Sequence, residues 1–371
     1  MTDAETIIIG AGPAGLACAA ALQARGRSFL VLEKGDTLAA SWHHHYDRLR
    51  LHTHKMHSAL PGMPMPRRFP RYPSRLQVIE YLETYSSSND IEVRFGVRAT
   101  AIRKDKTWTV ESSDGTFEAN NIVIATGLAN TPIRPTWEGQ GLFAGKLLHS
   151  SEFRNAAELA AERVLVVGFG NSAGEIALEC AEAGLDVAMS VRGPVSVVPL
   201  ELFGLTSASI AIAQQFLSYR LVDAVNAPIL ALRFGDLEKF GLERAKGGPL
   251  TGIIERGRTP MINIGTIERI RSGDIKVFSA ITKSEDRRVH FVDGRSDVFD
   301  AIIMATGYRP GLEALLPDFA HRFDGADGPG RGELQPAHDA LYFCGFTAVP
   351  TGLLREIGRE ARKIAASIAG K

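Results

Sequence analysis

Apolar positions in this chain fall into unbroken blocks rather than simple alternation. Residues 6–10, 121–126, 163–167, 186–191 and 301–305 are dense in Ile and Val. Such blocks predict strands buried on both faces of a parallel sheet. The alanine- and leucine-rich stretches 16–24 and 175–183 predict helices. Taken in order, strand 6–10, a glycine turn, helix 16–24 stopped at Gly26 and strand 29–32 fill one βαβ unit of about 30 residues. The same order returns at 163–167, 168–174, 175–183 and 186–191.

The rest of the pattern is shorter and more polar. Residues 91–95, 99–103, 107–112 and 116–119 predict an antiparallel sheet with turns at 104–106 and 114–115. Residues 76–85 predict a helix, and 275–278, 288–292 and 341–344 predict further strands. Residues 353–368 form an amphipathic closing helix, whereas 36–75 show no clean period. The stretch 200–260 is mixed and partly helical, and its apolar positions 203–225 suit a core, a dimer face or a hydrophobic substrate wall.

Each glycine of the first turn has a physical task. Gly10 makes the tight turn, Gly12 lets backbone approach a pyrophosphate, and Gly15 lets helix pack on strand, with Pro13 and Ala14 between them. The helix N-terminus presents free N–H groups to phosphate. Glu33, 23 residues after Gly10, stands where an acid bonds a ribose hydroxyl. The second turn repeats this as Gly168, Gly170, Asn171 and Ser172, with Asn171 and Ser172 also placed to cap the helix. The same count from Gly168 reaches Val191, and Arg192 follows. An arginine pairs with a 2′-phosphate that an acid repels, so this site is expected to prefer NADPH. Two matched strand ends, Ala125-Thr126-Gly127 and Ala305-Thr306-Gly307, accompany the two turns. The expected fold is α/β with two Rossmann-like dinucleotide-binding domains, the second inserted in the first. The outer domain comprises residues 1–155 and 296–371 and takes FAD; the inner comprises 156–295 and takes NADPH.

Composition narrows the classes. At 371 residues with 45% hydrophobic content, the chain has material for real cores. Lys plus Arg and Asp plus Glu both total 42, so no net field draws it to nucleic acid or anionic lipid. Cys18, Cys180 and Cys344 form no C-x-x-C pair, which argues against a redox-active disulfide and fits a reducing compartment. With no signal-like N-terminus and no apolar run of about 20 residues, a cytoplasmic protein without membrane association is expected.

Phe143, Gly145, His149 and Phe153 spell F-x-G-x-x-x-H-x-x-x-F just before the second glycine turn. That pattern resembles the flavin-containing monooxygenases, above all the plant-type, indole-3-pyruvate branch and its bacterial relatives. Ser41-Trp42, the run from Tyr46 to His52, Phe69 to Arg75, and 300–308 also fit, so the resemblance covers residues 6 to about 368. It implies FAD and NADPH as cofactors, and O2 and a small organic molecule (an aromatic 2-oxo acid or a nitrogen or sulfur nucleophile) as substrates. It further implies a C4a-hydroperoxide formed on the flavin. His52, Thr53 and His54 are then candidates for the flavin face. Tyr72, Ser74 and Asn171 lie towards the nicotinamide or its ribose. Lys34, Ser41, Trp42 and Val97 join the flavin side, as do Gly345 and Phe346. Where many animal-type members carry an asparagine, this chain has His52, as plant-type members also depart there.

His43, His44, His45, His52, His54 and His57 invite a metal reading. Three adjacent histidines on an extended chain point alternately, so no metal is expected. Two other functions remain open: a flavin reductase or oxidase of the same build, and a non-catalytic nucleotide-binding sensor. The intact glycines weigh against the sensor.

Overall fold

Ile7, Ile8 and Val31 expose no surface, nor do Val164, Leu165 and Val166, as strands covered on both faces require. They occupy the centres of two separate sheets in a computed structural model that describes residues 3–319 and 340–370. The chain divides into two units: 1–43, 53–131 and 308–371 make the first, 44–52 and 132–307 the second. Residues 320–339, part of the predicted outer domain, lie outside the described residues.

In the first unit, the strand Ala4–Ile9 lies parallel between Phe29–Leu32 and Gly115–Ile124. The separate strands expected at 116–119 and 121–126 are one element. Its first half pairs antiparallel with Trp108–Ser112, and its second half pairs parallel with Ala4–Ile9 and Leu341–Phe343. The strand expected at 91–95 does not join the antiparallel part. Only Val93–Arg94 is extended, and it pairs parallel with Phe29–Leu32 at the other edge. Trp108, Ile122, Ile124 and Phe343 build the core on one face. The helices Pro13–Gln23 and Leu353–Ala369 pack against each other, joining residues more than 300 positions apart.

The second unit has five parallel strands in the order Ile275–Phe278, Asp186–Ser190, Arg163–Val167, Ala301–Met304, Lys146–His149. Strand pairing therefore moves the expected boundaries. Residues 132–155 and 296–307 are expected in the outer domain, but Lys146–His149 and Ala301–Met304 belong to this sheet. The segment 44–52 also joins the second unit: Tyr46 is buried in its core, and Arg48 pairs with Glu182. Among the described residues, no helix is long and apolar enough to cross a membrane.

Candidate functional site

The first glycine turn is built by backbone alone. Gly10 has φ +106° and its amide donates to Leu32 at 2.8 Å, while Ala125 donates to Ile9 at 2.9 Å. A Cβ on Gly10 would lie 2.7 Å from the Ala125 carbonyl oxygen, and one on Gly15 would lie 1.9 Å from that of Gly10. Gly12 differs: its missing Cβ faces open space. Gly12 caps Pro13–Gln23 without a side-chain bond, so the helix N-terminus is left bare beside that space. Residues and space together fit a pyrophosphate.

Glu33 stands at the end of the second strand as expected, but it is occupied. Its Oε2 accepts the Ala11 amide and its Oε1 the Gly35 amide, both at 2.8 Å, and the residue is buried. The acid braces the turn and keeps its remaining lone pairs. Lys34 donates to Asn130 at 2.6 Å, and burial lowers its pKa. Val97 and Phe346 are core residues, Phe346 edge-on to Phe343. Gly345 donates its amide to Glu360 at 2.8 Å. Gly127 has φ +75° and open space at its missing Cβ. The Thr126 hydroxyl is buried without a hydrogen-bond partner among the described residues, as a group awaiting a ligand atom would be.

The second turn repeats the bonds. Gly168, at φ +120°, donates to Ser190 at 2.9 Å, and Ala305 donates to Val167 at 2.9 Å. A Cβ on Gly168 would lie 2.5 Å from the Ala305 carbonyl oxygen, and Gly170 again faces open space. Three details depart from expectation or from the first turn. The cap of helix Asn171–Glu182 is Gly170, not Asn171 or Ser172, and the Asn171 side chain instead accepts the Ile262 amide at 2.8 Å. The Thr306 hydroxyl is taken, donating to Ile133 at 2.5 Å. Arg192 is exposed just past the end of the second strand.

The F-x-G-x-x-x-H-x-x-x-F pattern proves to be scaffolding for this turn. A Cβ on Gly145 would lie 2.4 Å from the Asp300 carbonyl oxygen, and Phe153 fills the core. His149, fully buried, meets the Gly307 carbonyl at 3.1 Å and the Ser151 hydroxyl at 3.0 Å. Burial pushes its pKa down, against the pull of the Gly307 carbonyl.

Residues 40–75 resolve into distinct tasks. Ala40–His44, carrying Ser41 and Trp42, is a short helix, so His43 and His44 are not on the extended chain assumed above. No group of three His, Cys, Asp or Glu side chains among the described residues is placed to hold a metal. In the first unit, Arg75 donates to the His43 carbonyl at 3.0 Å. His54 accepts the Met56 amide and lies edge-on to Tyr72. Thr53 sits against Gly352, where a Cβ would come within 2.7 Å of its methyl group. Ser74 caps helix Arg75–Ser88 in a reciprocal box with Gln77, which uses its hydroxyl. In the second unit, His52 Nε2 lies 3.1 Å from Glu175 Oε1, off the line of a hydrogen bond. Glu175 is almost wholly buried, one turn beyond Asn171. Sequence reasoning missed Glu175 and Glu360; for the first, the available signal was an acid set among the apolar positions Ala173, Ile176, Ala177 and Leu178.

Residues 7–199 match the family model described as pyridine nucleotide-disulphide oxidoreductase. The chain is 40% identical over 323 residues to indole-3-pyruvate monooxygenase YUCCA1 of Oryza sativa subsp. japonica, covering 85% of this chain and 80% of that protein. It is 35% identical over 326 residues to the probable indole-3-pyruvate monooxygenase YUCCA3 of Arabidopsis thaliana, covering 84% and 75%. Its fold is similar to that of a flavin-containing monooxygenase from Stenotrophomonas maltophilia, with TM-score 0.73 at 21% identity over 100% of this chain and 99% of that one.

Proposed function

The chain belongs to the pyridine nucleotide-disulphide oxidoreductase family, among the flavin monooxygenases of the indole-3-pyruvate type, and on that premise we propose that it is an NADPH-dependent FAD monooxygenase. Its substrate in this reading is a small organic molecule: an aromatic 2-oxo acid, or a nitrogen or sulfur nucleophile. The carrying observation is one turn built twice, each open at its middle glycine, with an acid beside the first and an arginine beside the second.

FAD falls to the first unit and NADPH to the second. The bare helix N-termini after Gly12 and Gly170 receive the two pyrophosphates. Glu33, held by two amides, offers its free lone pairs to the flavin nucleotide's ribose, and the Thr126 hydroxyl gains the partner it lacks. Arg192 takes the 2′-phosphate that distinguishes NADPH. Flavin held by these residues would supply the oxygen chemistry once NADPH has reduced it. The chain's part is to bind, orient and keep the site dry.

Disulfide reduction, the chemistry in the family's name, is disfavoured by the cysteines. All three are buried; burial pushes the Cys180 thiol up to about 12, and a hydrogen bond with Cys18, together with burial, raises that of Cys344. Neither of these two thiols therefore offers a thiolate nucleophile at neutral pH. The test is a stoichiometry. Purified protein is expected to be yellow, to bleach with NADPH without O2, and to release close to one oxygenated product per NADPH from an aromatic 2-oxo acid. Peroxide equal to NADPH consumed, whatever substrate is offered, would make it an oxidase.

A further inference from the structure

Helix Leu353–Ala369 of the first unit opens on Gly352, at φ +100°, and no side chain caps it. The positive end of a helix dipole favours an acid and disfavours a cation. The first turn nevertheless carries Arg355, whose Nη1 is buried and meets no hydrogen-bond acceptor among the described residues. The nearest acids along the helix are engaged elsewhere. Glu356 lies 3.7 Å from Arg359, and Glu360 accepts the Gly345 amide at 2.8 Å and the Thr347 hydroxyl at 3.1 Å. A buried guanidinium left without an acid costs stability unless an anion joins it.

The segment 53–61 runs along this end of the helix. A Cβ on Gly352 would come within 2.7 Å of the Thr53 methyl group, and one on Gly358 within 3.1 Å of Pro61. Arg355 stands midway between those two glycines, three residues from each, and His57 midway between Thr53 and Pro61. Burial, and then the charge of Arg355, hold the His57 pKa below its usual value, so Arg355 is the fixed positive charge of this pair. Lys55 is engaged: it donates to the Arg67 carbonyl at 2.8 Å and to that of Phe69. The Ser58 hydroxyl, donating to the His54 carbonyl at 3.1 Å, pins the turn. Leu353 and Met56, near Arg355 and His57 in sequence, are exposed apolar surface.

We propose that Arg355 is a specificity-determining residue that receives the carboxylate of the substrate; the proposal rests on the monooxygenase reading and assigns a residue to it. The planar fork of a guanidinium matches a carboxylate with two parallel hydrogen bonds. The uncapped helix N-terminus adds its dipole to the same negative charge. Leu353 and Met56 offer apolar surface for the aromatic part. An amine substrate would instead meet a like charge. The two pyrophosphates already have helix N-termini of their own, after Gly12 and Gly170, so the substrate's carboxylate is the anion that remains for this one.

Calorimetric titration of the FAD-loaded protein with phenylpyruvate and with its methyl ester tests this without relying on turnover. The wild type is expected to bind the acid about 100-fold more tightly than the ester. Arg355→Met is expected to raise the Kd of the acid about 100-fold and to leave that of the ester nearly unchanged. Arg355→Lys, which keeps the charge but not the fork, is expected to restore part of the preference. Arg359→Met, one turn on and paired with Glu356, is expected to keep it whole. Because Arg355→Met removes an unpaired buried charge, it is expected to unfold no earlier than the wild type. A wild type that binds acid and ester equally, or no acid at all, overturns the proposal, as does a preference that survives Arg355→Met. Lost flavin, or a shifted flavin potential with acid binding intact, would assign the guanidinium to the cofactor, and earlier unfolding would assign it to the fold; each overturns it. The monooxygenase reading fails separately, when peroxide equals NADPH consumed although the acid still binds through Arg355.

Discussion

In the first unit, Gly10 donates to Leu32 and Ala125 donates to Ile9; in the second, Gly168 donates to Ser190 and Ala305 to Val167, at distances equal within 0.1 Å. Glycines that would clash with the neighbouring carbonyl stand first in each turn, and glycines facing open space stand second. The scaffold is thus duplicated, and the differences lie in what surrounds it. Glu33 braces the first turn by holding the Ala11 amide, whereas at the corresponding end of the second unit's strand the chain reads Val191-Arg192. Thr126 keeps its hydroxyl unpaired, while Thr306 gives its own to Ile133. The third position is Gly15 in the first unit and Ala173 in the second, both buried. In the proposed reading, a backbone geometry that fits any dinucleotide is made selective by a few side chains at its margin.

The sharpest way to break this comparison is at the third position. Gly15→Ala places a methyl group 1.9 Å from the Gly10 carbonyl oxygen, so the turn must shift. We expect a loss of ~3 kcal/mol or more in stability and protein that purifies without flavin, read by absorbance and thermal unfolding. Ala173→Gly is expected to cost only about 1 kcal/mol and to leave flavin in place. Equal damage from both would show that the turns are not divided between cofactors.

Arg192→Ala comes next in size. Losing a charge-assisted bond of about 1.5–3 kcal/mol should raise the KM for NADPH roughly 10- to 100-fold and leave that for NADH nearly unchanged. Equal loss for both would move the 2′-phosphate site elsewhere. Smaller still is the threonine pair. Thr306→Ala should lower stability by ~1 kcal/mol through its lost bond to Ile133. Thr126→Ala should leave the flavin-free protein's unfolding temperature unchanged but weaken FAD up to about tenfold, measured by fluorescence titration. A stability loss in Thr126→Ala would mean its hydroxyl is already satisfied.

The smallest effect is a pH dependence at His149. Burial depresses its pKa, so the folded chain favours the neutral ring. That contribution is fully present above the ordinary histidine value near 6.5 and is lost as pH falls through the lower folded value. Unfolding temperature should therefore fall as pH drops below 6.5, and fall less in His149→Gln. Parallel declines would remove His149 as the cause.

What was legible in the sequence was local. Both glycine turns, their strands and the start of each βαβ unit follow from residues close in sequence. The domain boundary did not, because it depends on Lys146–His149 pairing with Ala301–Met304, more than 150 positions away. Neither four-residue strand carries a mark of which sheet it joins. The cap at Ser74 was legible as S-x-x-Q before an apolar run, but resemblance assigned it to the nicotinamide instead. His52 was assigned to the flavin face on the same ground, and the fold brings it to Glu175 in the second unit. Such a partner, set by tertiary packing, has no signature at a fixed spacing.

The central claim, that FAD and NADPH here serve oxygen insertion, is tested most directly by stopped-flow mixing of the NADPH-reduced, NADP+-bound protein with O2. The account predicts a long-lived flavin–oxygen adduct, seen by its absorbance before oxidised flavin returns, which decays faster when substrate is present. Direct return to oxidised flavin, with peroxide matching the NADPH consumed, would contradict it.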